Sequence, residues 1–180
     1  MGNIAASTTM HHQFPPEAMG LSHQPLSSSA LPGSLATSLT LDSQLCFALY
    51  TASLAMTKAY KAVLEGFDLT YPQYLAMLVL WEHDELSVKD LAARLGLDSA
   101  TLTPILKRLE TVGYVRRVRG VLDERLVLIH LTEAGKSLKL SAAFLPNYIN
   151  EVAGRPISDL QRLRDELHDL KASLAGRVRM

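Results

Sequence analysis

One cysteine, Cys46, is all the chain carries among 180 residues. That excludes an internal disulfide and any zinc cluster built on cysteines, and it suits a reducing, cytoplasmic setting. Net charge is also missing: 18 basic side chains balance 18 acidic ones, so no global field draws the protein to nucleic acid or membrane. No apolar run long enough to span a bilayer occurs. The N-terminus has no basic segment followed by an apolar block, so secretion is not expected. Up to about Ser38 there is no Lys or Arg at all, only Glu17 as an acid, and Pro15, Pro16, Pro25 and Pro32 stand among Ser, Gln, Gly and His. Such a stretch buries too little to offset its ordering entropy and reads as a disordered tail, residues 1–38. His11, His12 and His23 read as surface residues of that tail, and no cofactor or metal is expected.

Proline and glycine are absent from Leu41 to Glu65, which predicts a helix of about 25 residues. Thr40 is its cap, Gly66 its end, and Leu45, Leu49, Ala52, Met56 and Val63 approximate one face. Thr70 with Gln73 forms a capping box for a second helix with Pro72 in its first turn. Tyr74, Leu75, Leu78 and Trp81 are its core candidates.

The segment from Leu86 to Arg125 organises the rest. Ser87 with Asp90 starts a helix that carries Val88, Leu91 and Leu95 and stops at Gly96. Asp98 caps the next, in which Leu102, Ile105, Leu106 and Leu109 share a face. Gly113 ends it, and two strand-like runs follow, Tyr114 to Val118 and Val127 to Leu131, joined by a charged tip. The pattern predicts a mainly α fold with a small β-wing, a winged helix-turn-helix over residues 39–180, with the DNA-binding lobe at about 70–131. Thr132 caps a helix to about Leu145, which Pro146 disturbs; helix resumes until Gly154 and Pro156. Ser158 with Gln161 opens the last helix, striped by Leu160, Leu163, Leu167, Leu170 and Leu174 at the spacing of a helix–helix seam. One small winged helix cannot bury both terminal stripes, so a homodimer is expected.

Neutral overall, the chain is locally basic. Between Ser99 and Leu122, Lys107, Arg108, Arg116, Arg117 and Arg119 face one acid, Glu110, a footprint suited to double-stranded DNA. The helix from Ser99 to about Val112 would enter the major groove with Ser99, Thr101 and Thr103 at its leading end and Lys107 behind them; Arg108 would hold phosphate. The outward members of Arg116, Arg117 and Arg119 would grip the backbone, leaving the inward one to pair. Asp123 would pair with a nearby Arg while Arg125 enters the minor groove. Pro104 removes one bond from the reading helix and should bend it slightly.

Cys46 alone reads most simply as a small core residue. The tyrosines shift that reading. Tyr50 lies one turn away, Tyr60 near the end of the helix and Tyr71 at the start of the next. In a dimer built on this helix, phenols from the partner could hydrogen-bond a thiolate and sharpen its nucleophilicity. A thiolate in an apolar pocket suits an organic hydroperoxide: it takes the terminal oxygen, becomes sulfenic acid, then meets a thiol.

The motifs LCFALYTAS, MTKAYKAVL, LTYPQYLAMLVLWEH, LDSATLTPILKRLE and DERLVLIHLTEAG resemble the MarR family of winged-helix regulators, and within it the organic hydroperoxide sensors, the OhrR-type repressors. The resemblance runs from Leu45 to about Ala142. It implies that Cys46 is the reactive cysteine and that Tyr60 and Tyr71 bond to it across the dimer, with Tyr50 a further pocket tyrosine. It also matches Ser99 to Lys107 to the groove-reading helix and Arg125 to the wing arginine, with Asp123 its structural neighbour. Family members repress a peroxidase gene and release DNA on oxidation. Some use a second cysteine for an intersubunit disulfide; this chain resembles the one-cysteine type, so release would require a small thiol joined to Cys46, or further oxidation. Two other readings stand beside it: a regulator released by a small aromatic ligand, and a thiol peroxidase.

Overall fold

A computed structural model describes residues 40–119 and 127–177. The chain divides into a unit over Met1–Ser43 and a unit over Gln44–Met180. Of the first, the described part is one 3-10 turn, Leu41–Ser43. The predicted tail, its histidines, and the wing tip with Asp123, Glu124 and Arg125 lie outside the described residues.

The second unit runs α1 (Leu45–Leu64), α2 (Tyr71–Glu82), β1 (Leu86–Ser87), α3 (Val88–Leu95), α4 (Ser99–Val112), β2 (Val115–Arg119), β3 (Val127–Leu131), α5 (Glu133–Ser141), α6 (Leu145–Ala153) and α7 (Ile157–Arg177). The strands pair antiparallel in the order β1-β3-β2, with Leu86 opposite Ile129 and Val115 opposite Leu131. This is the mainly helical fold with a small wing that the sequence predicts. The third strand is new: two residues beside a helix cap leave no period to read.

The caps mostly follow expectation. Thr70 and Gln73 close their box, with the Thr70 N–H donating to Gln73 Oε1 at 2.7 Å. Ser87 Oγ accepts the Asp90 N–H at 3.1 Å and donates back to the Asp90 carboxylate at 2.6 Å, so the return bond comes from the hydroxyl and not from the backbone. Asp98 caps α4 by accepting from the Thr101 N–H at 2.7 Å. α4 runs through Pro104, and Gly113 ends it at φ 89°, in the left-handed region that glycine enters without strain.

Four boundaries differ. The first helix starts at Leu45, after the separate 3-10 turn, and a second 3-10 turn, Glu65–Phe67, follows it. The helix capped by Thr132 stops at Ser141, and Pro146 belongs to the first turn of α6, where its missing N–H costs nothing. The last helix opens at Ile157 on the Pro156 carbonyl, which accepts from Asp159 and Leu160. In α2, Leu75, Leu78 and Trp81 are only half-buried, whereas Ala76, Met77, Val79 and Leu80 are covered along with Tyr74. That helix is apolar nearly all round and touches α1, α3, α4 and α5, so choosing one face undercounted its core.

The core joins Leu64, Met77, Leu80, Leu91, Leu102, Leu106, Leu109, Ile129 and Leu145. The expected seams behave otherwise. On α1 only Leu64 is buried, and Leu45, Tyr50 and Leu54 are more than half exposed. α7 has no buried residue, and Leu163, Leu167 and Leu174 face outward. Apolar stripes of this extent, uncovered within one subunit, mark an interaction surface.

Candidate nucleic-acid interface and thiol site

α4 presents Ser99, Thr101, Thr103, Lys107 and Arg108 as exposed residues. The threonine hydroxyls are already engaged: Thr101 Oγ1 donates to Asp98 Oδ2 at 2.9 Å and Thr103 Oγ1 to the Ser99 carbonyl at 2.7 Å. They keep lone pairs and methyl groups for a partner. The amide bonds hold the Asp98 carboxyl below its usual range, with the Thr101 hydroxyl adding to the effect.

The three wing arginines separate by their partners and not by strand alternation, which places Arg117 and Arg119 on one face of β2 and Arg116 on the other. Arg116 and Arg119 are exposed. Arg117 turns back onto α4: its Nε lies 3.4 Å from Glu110 Oε2, its N–H donates to Glu110 Oε1 at 3.1 Å, and its Nη2 donates to the Thr103 carbonyl at 3.3 Å. Strand and helix are thus clasped by an acid that charge counting entered only as a subtraction.

Beneath α4 and the strands sits a junction. The Gly135 Cα is pressed against the Tyr114 carbonyl, and an added Cβ would stand 2.1 Å from that oxygen. Thr132 caps α5 through Gly135, donates its backbone N–H to the Tyr114 carbonyl at 3.0 Å, and sends its hydroxyl to the Gly113 carbonyl at 2.6 Å. Tyr114 donates its phenol to the Phe67 carbonyl at 3.1 Å. The motif LTEAG is therefore the joint that holds the wing to the end of α4.

Cys46 lies exposed in the first turn of α1, and Tyr50 one turn later is exposed too. Tyr60 and Tyr71 are brought together elsewhere, ring centroids 4.8 Å apart, with Tyr74 at 5.6 Å from Tyr60. Burial pushes the Tyr60 phenol up to about 12, with the Tyr74 and Tyr71 phenols adding to it. Burial also raises Tyr71 and Tyr74. All three therefore remain neutral donors near neutral pH. Helical rise separates Cys46 from Tyr60 by roughly 21 Å along α1, so the sulfur does not meet these phenols within its own subunit. Tyr74 joins the cluster unannounced, because its spacing marked it only as core. Among the described residues, no group of His, Cys, Asp and Glu could hold a metal ion, and no helix is long and apolar enough to cross a membrane.

A reading helix, a wing hinged at its end, and a lone thiol on an uncovered terminal helix define a winged helix-turn-helix transcriptional regulator. Comparison with known proteins agrees. The family model described as Transcriptional regulator SarA/Rot matches residues 58–141. The chain is 48% identical over 136 residues to the Organic hydroperoxide resistance transcriptional regulator of Bacillus subtilis, covering 76% of this chain and 92% of that one. It is 49% identical over 139 residues to the HTH-type transcriptional regulator TtmR of Methylorubrum extorquens, covering 77% and 71%. Among solved structures it aligns with reduced AbfR bound to DNA at 34% identity and TM-score 0.64, covering 75% of this chain and 94% of that one. Overoxidised AbfR bound to DNA aligns at TM-score 0.62 and 35% identity, covering 74% and 94%. The chain belongs to the MarR family, in the branch of one-cysteine redox-sensing regulators, and is a transcriptional regulator.

Proposed function

We propose that the protein is a homodimeric, cytoplasmic repressor that holds operator DNA while Cys46 is reduced and lets go when an organic hydroperoxide and then a small thiol modify it. One observation carries the reading: Cys46 is exposed on an uncovered helix, out of reach of the donor phenols of its own subunit. Two copies of α1 crossing antiparallel about a two-fold near Ser53 would bring Cys46 of each against Tyr60 and Tyr71 of the other, since residue pairs repeat reciprocally at such an axis. Ala52, Ser53 and Leu54 there are exposed, and small residues suit a close crossing. The uncovered leucines of α7 extend the same interface.

The chemistry balances without a cofactor. The Cys46 thiolate attacks the terminal oxygen of the hydroperoxide, the O–O bond breaks, and an alcohol leaves once protonated. The sulfenic acid then condenses with a small thiol, releasing water and leaving a mixed disulfide. A sulfur enlarged in this way displaces the phenols, and the paired heads leave their one-turn spacing on DNA. The Bacillus subtilis relative is an organic hydroperoxide resistance regulator by name, which supports the signal. AbfR remains on DNA in an overoxidised form, which favours the mixed disulfide over further oxidation as the releasing species here.

On the DNA side, Ser99, Thr101, Thr103 and Lys107 read the major groove, and Arg108, Arg116 and Arg119 contact phosphate. Arg125 and Asp123 form the wing tip. Arg117 serves by holding β2 on α4. A regulator released by an aromatic ligand is the weaker account. The apolar groove lined by Met56, Ile149, Leu160, Leu163 and Leu167 has a volume of about 220 Å³, below the usual range for such pockets. The test is an operator shift with wild type and Cys46→Ser, with and without organic hydroperoxide and a small thiol, beside intact mass. Release confined to wild type carrying one thiol adduct supports the proposal, and release of the serine variant by peroxide overturns it.

A further inference from the structure

Trp81 is the chain's one tryptophan, and it is tied to α5 twice. Its indole Nε1–H donates to the Gly135 carbonyl at 2.9 Å, and its own carbonyl accepts from Lys139 Nζ at 3.0 Å. Gly135 has nowhere to go, because its Cα already presses on the Tyr114 carbonyl. That carbonyl and the Gly113 carbonyl are held by Thr132. From this joint hang both the C-terminal end of α4 and the start of β2.

The opposite end of the same helix lies in the phenol cluster. Tyr71 is the first residue of α2 and its ring meets that of Tyr60 at a tilt. Tyr74, one turn on, contacts Tyr60 and meets the edge of Trp81 at 6.1 Å. About 15 Å of helix therefore connects the phenols to the wing joint. Gln73, Tyr74, Ala76, Met77, Val79 and Leu80 are buried along it, so α2 is clamped on several sides. Close-packed interiors transmit displacement because they cannot absorb it by compression.

We infer that α2 is the rod between sensor and reading head, with the Trp81–Gly135 hydrogen bond as its coupling to the wing. Movement of Tyr60 and Tyr71 by the modified sulfur shifts α2, and the indole passes that shift to the Gly135–Tyr114–Thr132 joint. The inference rests on the redox reading above and adds how the signal reaches the DNA-binding surface. A tryptophan that only fills space and satisfies its N–H would matter equally in the reduced and modified states. A coupling residue alters the difference between them.

Operator affinity of full-length wild type and Trp81→Phe, each measured reduced and after conversion to the thiol adduct, separates the two. Phenylalanine keeps a ring and removes the donor. We expect the reduced variant to bind close to wild type, while its ratio of modified to reduced Kd falls roughly 3- to 30-fold. An unchanged ratio overturns the inference, including the case where both affinities drop together. Should Trp81→Phe fail to fold, Lys139→Gln cuts the second tie at an exposed position and should lower the ratio by a smaller factor; no change there overturns the inference equally. A wild type that keeps its DNA when modified sinks the redox reading and this inference with it, whereas wild-type release beside an unaltered variant ratio sinks the inference alone.

Discussion

The rings of Tyr60 and Tyr71 lie 4.8 Å apart and 39° from parallel, across the change from α1 to α2. A phenol pair held in this way, half-buried and neutral, is a ready donor for an anion brought from outside the subunit.

Replacing either phenol tests that role. Tyr60→Phe and Tyr71→Phe should leave reduced operator binding intact and slow the reaction of Cys46 with organic hydroperoxide by roughly tenfold or more, the worth of a hydrogen bond to a charged group. Stopped-flow trapping of the sulfenic acid measures this rate. Unaltered rates in both variants would remove the phenols from the mechanism.

The raised Tyr60 phenol also makes a pH prediction. Its folded value, about 12, lies above the ordinary tyrosine value of about 10, so the folded state binds the proton more tightly. Its contribution to stability is complete below about pH 10 and is lost as the pH rises towards 12. Phenolate absorbance should show the clustered tyrosines, Tyr60 among them, ionising above the ordinary range, and Tyr60→Phe should flatten the fall of stability across that window.

Arg117 and Arg119 should part company in a salt titration. Arg119→Ala, at an exposed position proposed to contact phosphate, should lower the salt slope of operator binding by about one. Arg117→Ala should leave the slope alone and cost the protein about 1 kcal/mol or less through the lost Glu110 pair, which solvent screens in part. Equal slopes for both variants would reverse the division between gripping and holding.

At the wing joint, Gly135→Ala should lower stability by about 1–3 kcal/mol, because the new methyl must push the Tyr114 carbonyl away. Thermal unfolding checks this. A variant as stable as wild type would mean that the joint yields.

The uncovered stripes predict the outcome for association. Leu167→Glu puts a charge on the exposed seam of α7 and should yield monomers in sedimentation at micromolar protein, with operator affinity falling at least tenfold as the second reading head is lost. A dimeric variant would place the interface elsewhere.

Local signals in the sequence were enough for the helix caps at Thr70, Ser87, Asp98 and Thr132, the stop at Gly113 and the buried face of α4. Each depends on neighbours three or four residues away. The lone cysteine, the basic run and the motif resemblance likewise needed no coordinates to point at a DNA-binding redox regulator. Packing decided the rest. Which of three arginines turns inward depends on Glu110, a residue of another element. The core of α2 escaped a one-face reading because four helices cover it. Tyr74 and Trp81 looked like filler until folding set one against Tyr60 and the other against Gly135. Periodicity along a chain records which side of an element avoids water; it carries no record of what waits on that side, and that is fixed only when distant segments meet.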